Sequence, residues 1–409
     1  MKIKINITFL LIVFLIVIYL FGACNDEIFY FISHEVEVKD PKIKGSPTNI
    51  VLFNGKVYVA SGKRLYSYKK AGAEGGEDWS SEALDMYIGQ LASTDNYLYA
   101  MLYRDERGSI HIEIQKMDTS GNWTKISEIT GVYTIIQKIY SANNNLYIGA
   151  QKPDTNEYAI HVLDSNGDLE KDYIKGIADS PLKGACFSGA NVFLCTGSGL
   201  YINDKIIDDS PSDFTGIITL PDSTVVAITR KGSLYRVETD KLVDDPDNPG
   251  EQIQKPAVTF IVGFSDGRWT TGAIALWQES STEPANKLLL VGRTDFEYST
   301  STGHTYGYLE LELKQDGGLV INIREDDGKE ESGRKFKDPG TAGEFSPSNT
   351  TVTSHERYTS SMGAIPVNSI LQVPSDIDSN MPIFASTQKE GVWSCKERGS
   401  EAREWNAED

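Results

Sequence analysis

Histidine and cysteine are scarce in this chain, at five and four of its 409 residues. His34, His111, His161, His304 and His355 are scattered with no ligand spacing, which argues against a metal centre read from sequence. Four cysteines (Cys24, Cys186, Cys195, Cys395) are too few for a disulfide-built scaffold. Positive charge is also short: 39 Lys and Arg stand against 58 Asp and Glu, a net charge of -19. Such a surface repels phosphate backbones, so nucleic acid is excluded as a partner, and the acidity reads first as a solvated surface. Among catalytic signatures there is no G-x-S-x-G elbow, no P-loop and no H-E-x-x-H, and the sequence calls for no cofactor and no metal.

What is present begins at the N-terminus. Lys2 and Lys4 precede an apolar stretch from Ile5 to Phe21, interrupted by Asn6 and Thr8, which ends in Gly22-Ala23-Cys24. A charged start, an apolar middle and small residues at the cut are the order of a secretory signal. The Gly-Ala-Cys ending resembles the lipobox of bacterial lipoproteins, whose cysteine is acylated and becomes the first mature residue. That resemblance assigns lipidation to Cys24. Phe21 stands where the strict pattern prefers Leu, and Leu20 lies one place earlier. About 17 apolar residues also approach the lower limit for a spanning helix, so an uncleaved anchor is the alternative. Either way the body is exported, anchored at the inner or outer membrane, and facing the periplasm or the cell surface. Residues 1–23 read as signal peptide and 24–29 as a lipidated tether. Without 1–23 the basic residues fall from 39 to 37 against an unchanged 58 acidic ones, giving -21.

The rest carries a degenerate strand repeat: an apolar strand, a turn with Asn, Asp or Gly, a second strand ending in a small residue, then a third. The first copy runs from Ile50 to Ser61 through Asn54-Gly55 and returns as Leu65-Tyr66-Ser67-Tyr68. Others fall at Leu91–Met101, Ile139–Ala150, Cys186–Cys195 with Leu200-Tyr201-Ile202, and Ile217–Ile228 with Leu234-Tyr235. Two looser copies pair Ala273–Trp277 with Lys287–Gly292 and Tyr308–Leu313, and Ser369–Val373 with Pro382–Ser386 and Gly391–Ser394. Bulky β-branched or aromatic residues combined with a small residue suit a strand buried on both faces. Copies of this kind and length are the signature of propeller blades. Seven copies predict an all-β, seven-bladed β-propeller over residues 30–396, with tandem β-sandwiches as the rival. The pattern resembles bacterial β-propeller lipoproteins with quinoprotein-like or WD40-like blades, from Val51 to Lys396, without a diagnostic motif. Ile28–Val38 is a strand without a blade and is expected to complete the last one. Gln315–Ser361 reads as a long polar insertion from the sixth blade, Asp240–Lys255 as a projecting loop, and 397–409 as a polar tail.

Candidate sites are few. If the hairpin turns at Ala190-Asn191, Cys186 faces Cys195 and a cross-strand disulfide becomes possible; two buried thiols are the alternative. Asp164-Ser165-Asn166-Gly167-Asp168 has the oxygen content of a calcium loop, yet, like Asp118–Asn122, it falls where a hairpin turn is due. A His-plus-carboxylate site assembled at the central opening is a further possibility. Trp79, Trp123 and Trp269 fall near loops, where rim aromatics would suit peptide or sugar recognition. The reading that follows is a lipid-anchored, non-enzymatic interaction module of the cell envelope with protein partners. The alternative is a propeller enzyme or carbohydrate-binding protein with its site at the central channel.

Overall fold

The computed structural model describes residues 42–69, 79–106, 108–126, 134–169, 173–178, 180–230, 232–244, 252–263, 271–278, 287–293, 308–313, 321–325, 335–337, 365–395 and 405–408. The signal sequence, Cys24, the tether and Ile28–Val38 lie outside them, as do His34, Trp269, His304 and His355.

Every described element of regular structure is a β-strand, and these strands form seven antiparallel sheets in chain order. The first sheet is β1 (Val51–Phe53), β2 (Lys56–Ser61), β3 (Arg64–Tyr68) and β4 (Trp79–Ala83). The second is β5 (Tyr87–Ser93), β6 (Leu98–Glu106), β7 (Ser109–Met117) and β8 (Trp123–Lys125); the third is β9 (Ile135–Ala142), β10 (Asn145–Gln151), β11 (Glu157–Leu163) and β12 (Ile174–Ala178). The fourth is β13 (Leu182–Ser188), β14 (Asn191–Thr196), β15 (Leu200–Ile202) and β16 (Lys205–Ile206); the fifth is β17 (Phe214–Thr219), β18 (Val225–Thr229), β19 (Ser233–Asp244) and β20 (Gln252–Gly263). The sixth has five strands: β21 (Thr271–Gln278), β22 (Lys287–Arg293), β23 (Tyr308–Leu313), β24 (Ile321–Glu325) and β25 (Lys335–Lys337). The last is β26 (Val367–Gln372), β27 (Ile383–Thr387), β28 (Val392–Cys395) and β29 (Trp405–Ala407).

Each sheet is a meander in which consecutive strands pair antiparallel. Asn54 and Gly55, at φ 47° and 69°, make the two-residue turn whose left-handed residues match the twist of the flanking strands. The first strand of each sheet packs beside the first strand of the next, and apolar clusters fill the spaces between successive sheets. The second strands explain the sequence pattern. Val57 and Val59 on β2 face one neighbouring sheet while Tyr58 and Ala60 face the other, so both faces are buried and polar alternation disappears. Successive sheets packed in this way around one axis are the architecture of a β-propeller rather than of paired sandwiches.

The first and last sheets meet. Tyr68, Trp79 and Phe384 form a three-ring cluster, with Tyr68 and Phe384 centroids 4.8 Å apart and Trp79 and Phe384 centroids 5.3 Å apart. The Tyr68 hydroxyl donates to Asp378 Oδ2 at 2.8 Å, and Trp79 Nε1 donates to Glu408 Oε2 at 2.7 Å. The Ser394 hydroxyl donates to the other Glu408 oxygen. The Glu408 backbone reaches both sides, its N–H donating to Val392 O and its carbonyl accepting from Lys42 N.

Three expectations change here. The segment read as a polar tail contributes β29, which supplies the fourth strand of the last sheet, the place expected for Ile28–Val38. The segment read as an insertion contributes β24 and β25 to the sixth sheet. The projecting loop at Asp240–Lys255 is in part a hairpin: β19 and β20 continue pairing to Asp244↔Gln252, beyond the end of their pairing with β18. Polar composition hides all three, because an apolar run is required only of strands buried on both faces.

Closure makes a quantitative expectation. Phe384→Ala should cost about 3–5 kcal/mol in urea denaturation, the range for removing a buried aromatic ring. Glu408→Ala, which takes the acceptor from the buried Trp79 N–H, should cost about 1–3 kcal/mol.

Candidate functional site

A cavity of about 470 Å³ lies where the seven first strands converge. Its wall takes residues from every sheet: Thr48 and Asn49 just before β1, Gln90 on β5, Lys138 and Tyr140 on β9, Lys183 on β13, Thr215 on β17, Ile274 on β21, and Asn368 and Ser369 on β26. This is the central channel.

One local device recurs around it. The first strands β5, β13, β17, β21 and β26 each lose register with their second strand near their start, at Ile88/Gln90, Leu182/Gly184, Phe214/Gly216, Thr271/Ala273 and Val367/Ser369. In the third sheet the shift skips Gln137. Such a bulge adds one residue, bends the strand and re-aims side chains. It leaves two special positions per sheet, the bulged residue and the one after it.

The position after the bulge links sheets. Gln90 Nε2 donates to Ile139 O at 2.6 Å while its Oε1 accepts from Ile139 N at 3.1 Å. Asn49, just before β1, does the same to the next sheet, donating to Leu91 O at 2.7 Å and accepting from Leu91 N at 2.9 Å. Ser369 Oγ accepts from Ile50 N at 3.1 Å and so links the last sheet to the first. A primary amide used at both ends imitates one β-bridge between first strands too divergent to pair directly. In the fourth sheet the position is Gly184, where a Cβ would come within 3.0 Å of Cys195 Sγ and 3.1 Å of Ile217. Close approach of the neighbouring strand replaces the amide there.

The third sheet departs from this scheme. Its residue after the bulge is Lys138, and in the next sheet the bulged residue itself is Lys183. Among the described lining residues these two are the only charges, and no carboxylate stands with them. Incomplete hydration by the channel walls, and then the Lys183 ammonium, hold the pKa of Lys138 below the usual lysine value.

The sequence-derived candidates fall elsewhere. His111 lies on β7, 3.4 Å from Glu113, and Lys125 lies 2.9 Å from the same carboxylate. Burial works against the Glu113 anion, but hydrogen bonds from Lys125, Gln115 and His111 outweigh it and keep its pKa below the ordinary value. His161 is buried on β11. Neither lines the channel, so the His-plus-carboxylate site is not assembled from described residues. Asp164 Oδ1 accepts from the N–H of Asn166 and Asp168, and Asp118 Oδ1 from those of Ser120 and Asn122. Both loops are turns, and no cluster of three or more His, Cys, Asp or Glu suited to a metal occurs among the described residues. Trp79 is not a rim residue but part of the closing cluster, 2% exposed. Trp123 donates to Glu82 Oε1 at 3.2 Å.

Cys186 and Cys195 are free thiols. The hairpin turns at Gly189-Ala190, one residue earlier than the disulfide requires, which sets Cys186 opposite Phe193, while the bulge places Cys195 opposite Gly184. Burial pushes the Cys186 thiol up to about 12 and raises that of Cys195 further.

No protein-family model and no curated protein matches the chain. Solved structures similar to it include the Myceliophteria thermophila Cps50 (Swd1) β-propeller domain, at 8% identity and a TM-score of 0.46, covering 87% of this chain and 97% of that one. The Dos1 propeller is 12% identical with a TM-score of 0.44, covering 86% and 77%, and YCF48 bound to D1 peptide is 13% identical with a TM-score of 0.42, covering 86% and 92%.

Two outcomes are expected. Gln90→Leu, which strands the Ile139 N–H and carbonyl, should cost about 1–3 kcal/mol measured by urea denaturation. Maleimide at pH 8 should leave Cys186 and Cys195 unmodified in the folded protein and label both after unfolding, as read by mass spectrometry; labelling of both in the folded state would contradict the burial described.

Proposed function

We propose that this protein is a seven-bladed, lipid-anchored β-propeller of the cell envelope that serves as a non-enzymatic protein-interaction module. The partner meets the face at which the seven first strands begin. The observation that carries this reading is an exposed aromatic stack on that face. Tyr87 and Tyr103, 45% and 39% exposed, lie 5.5 Å apart with their planes 22° from parallel. Lys63 Nζ sits 5.2 Å from the Tyr87 ring centroid, and Ile110 on the adjacent strand is 72% exposed. Exposed tyrosines held rigid by stacking are the side chains most enriched in interface centres, and a cation over the ring suits a partner with polar or acidic groups. Support for the anchor comes from the sequence: Lys2 and Lys4, the apolar stretch to Phe21 and the Gly22-Ala23-Cys24 ending. Acylation there would hold this face near other envelope proteins.

A channel-centred enzyme or sugar-binding site is the second reading. Its support is the polar wall, but Asn49, Gln90 and Ser369 in that wall are already engaged in linking sheets.

Two experiments test the proposal. Photo-crosslinking residues placed at 87 and 103 in the full chain should each yield the same discrete adduct in cells, and a crosslinker at Asp118, on the opposite face, should not. Equal adducts at all three positions, or none, would contradict the interface. For the anchor, palmitate labelling should be lost in Cys24→Ser; retention of the label by that variant would remove Cys24 as the acylated residue.

A further inference from the structure

The two lysines in the channel are out of place in a repeat that otherwise uses these positions for structure. The second and last sheets carry Gln90 and Ser369 at the residue after the bulge, and the first carries Asn49 just before β1, each bonded to the neighbouring sheet. The fourth and fifth carry Gly184 and Gly216, where a Cβ would come within 3.1 Å and 3.2 Å of Ile217 and Ile274 on the next strand. Lys138 holds that position in the third sheet and makes no such link. Its chain alternation with Tyr140 directs both into the channel. Lys183 occupies the bulge itself, the position most free to re-aim a side chain. Both ammoniums line the same cavity, and the Lys183 charge adds to the lowering of the Lys138 pKa. Lys138 is exposed within the channel and Lys183 half-exposed, so both ammoniums are open to a ligand, and a counter-charge between them would relieve their repulsion.

From this placement we infer that the central channel is a binding site for an oxyanion, held between Lys138 and Lys183. The inference deepens the interaction-module reading and rests on it only for the source of the anion: an acidic segment of a protein partner in the first instance, or a free small anion. A volume of about 470 Å³ accommodates one or a few carboxylate side chains or a small polyanion such as citrate or phosphate. The site is for binding alone, since no covalent step is implied. Because Lys138 loses its proton below the usual lysine range, affinity should fall on the alkaline side earlier than an ordinary lysine would allow.

The test is calorimetric titration of the full chain in uncharged detergent with three probes, hexaglutamate, citrate and inorganic phosphate, at low and at 0.3 M salt. At least one should bind with an affinity that drops tenfold or more in each of Lys138→Met and Lys183→Met and returns in large part in the Lys→Arg variants. Thermal melts separate binding from folding. Without anion the methionine variants should melt at or above the parent temperature, and added anion should raise only the parent and the arginine variants. Hexaglutamate binding assigns the site to an acidic polypeptide. Citrate or phosphate binding without hexaglutamate leaves the anion site standing and detaches it from the protein partner. No binding by any probe, or binding unchanged in the double methionine variant, overturns the inference while leaving the crosslinking result at Tyr87 and Tyr103 to decide the interaction-module reading by itself.

Discussion

Contact between the first and last sheets is the constraint on which the rest of this molecule depends. Seven sheets joined only in series would form an open arc with two apolar faces exposed. What prevents this is concentrated in a few groups: the Tyr68–Trp79–Phe384 cluster, the Tyr68–Asp378 hydrogen bond and Glu408, whose carboxylate accepts from Trp79 and Ser394. Buried carboxylates are expensive unless they are hydrogen-bonded, and both Asp378 and Glu408 are. The acceptor for Trp79 comes from a residue 329 positions later, so the far end of the chain must arrive before the first sheet is covered.

Closure also determines what the centre of the ring can be. Once seven first strands are held around one axis, their separation is too great for backbone pairing, and the wall must be completed by side chains. Asn49 and Gln90 do this with both ends of a primary amide, and at Gln90 a bulge supplies the extra residue that turns it toward the neighbour. The wall polarity is therefore first a consequence of architecture. Against that background Lys138 and Lys183 stand apart, since neither contributes to the links and each adds a positive charge to the channel wall.

Much of the architecture was legible in the sequence, for a physical reason. Second strands such as Val57–Ala60 and Leu98–Ala100 are buried on both faces, so their apolar runs survive any divergence of the loops. The segments that form β24, β25 and β29 carry no such run, and their polar composition reads as insertion or tail. The cysteine pairing depended on a single turn residue, Gly189 in place of Asn191, and a one-residue shift of register is invisible to composition. The channel was less legible still. Asn49 is a polar residue just ahead of an apolar strand, and Gln90 and Lys138 are single polar residues inside one, both ordinary features of a strand sequence. Only alignment of the bulges shows that Gln90 and Lys138 are equivalent and that Lys138 differs. Trp79, six residues before the second sheet's apolar entry at Asp85-Met86, looked like a loop residue because the segment after it, Ser80–Ala83, is polar.

Native-state hydrogen exchange offers the most direct measurement of ring closure. With a closed ring, the amides of β2 and β3 and those of β27 and β28 should exchange through the same global opening as β10 and β14 in the middle of the chain, with matching free energies and the same denaturant dependence. Exchange of the first and last sheets together at a free energy several kcal/mol lower, while the middle sheets stay protected, would mean that the ring is open in solution and that the channel is not a fixed feature of the protein.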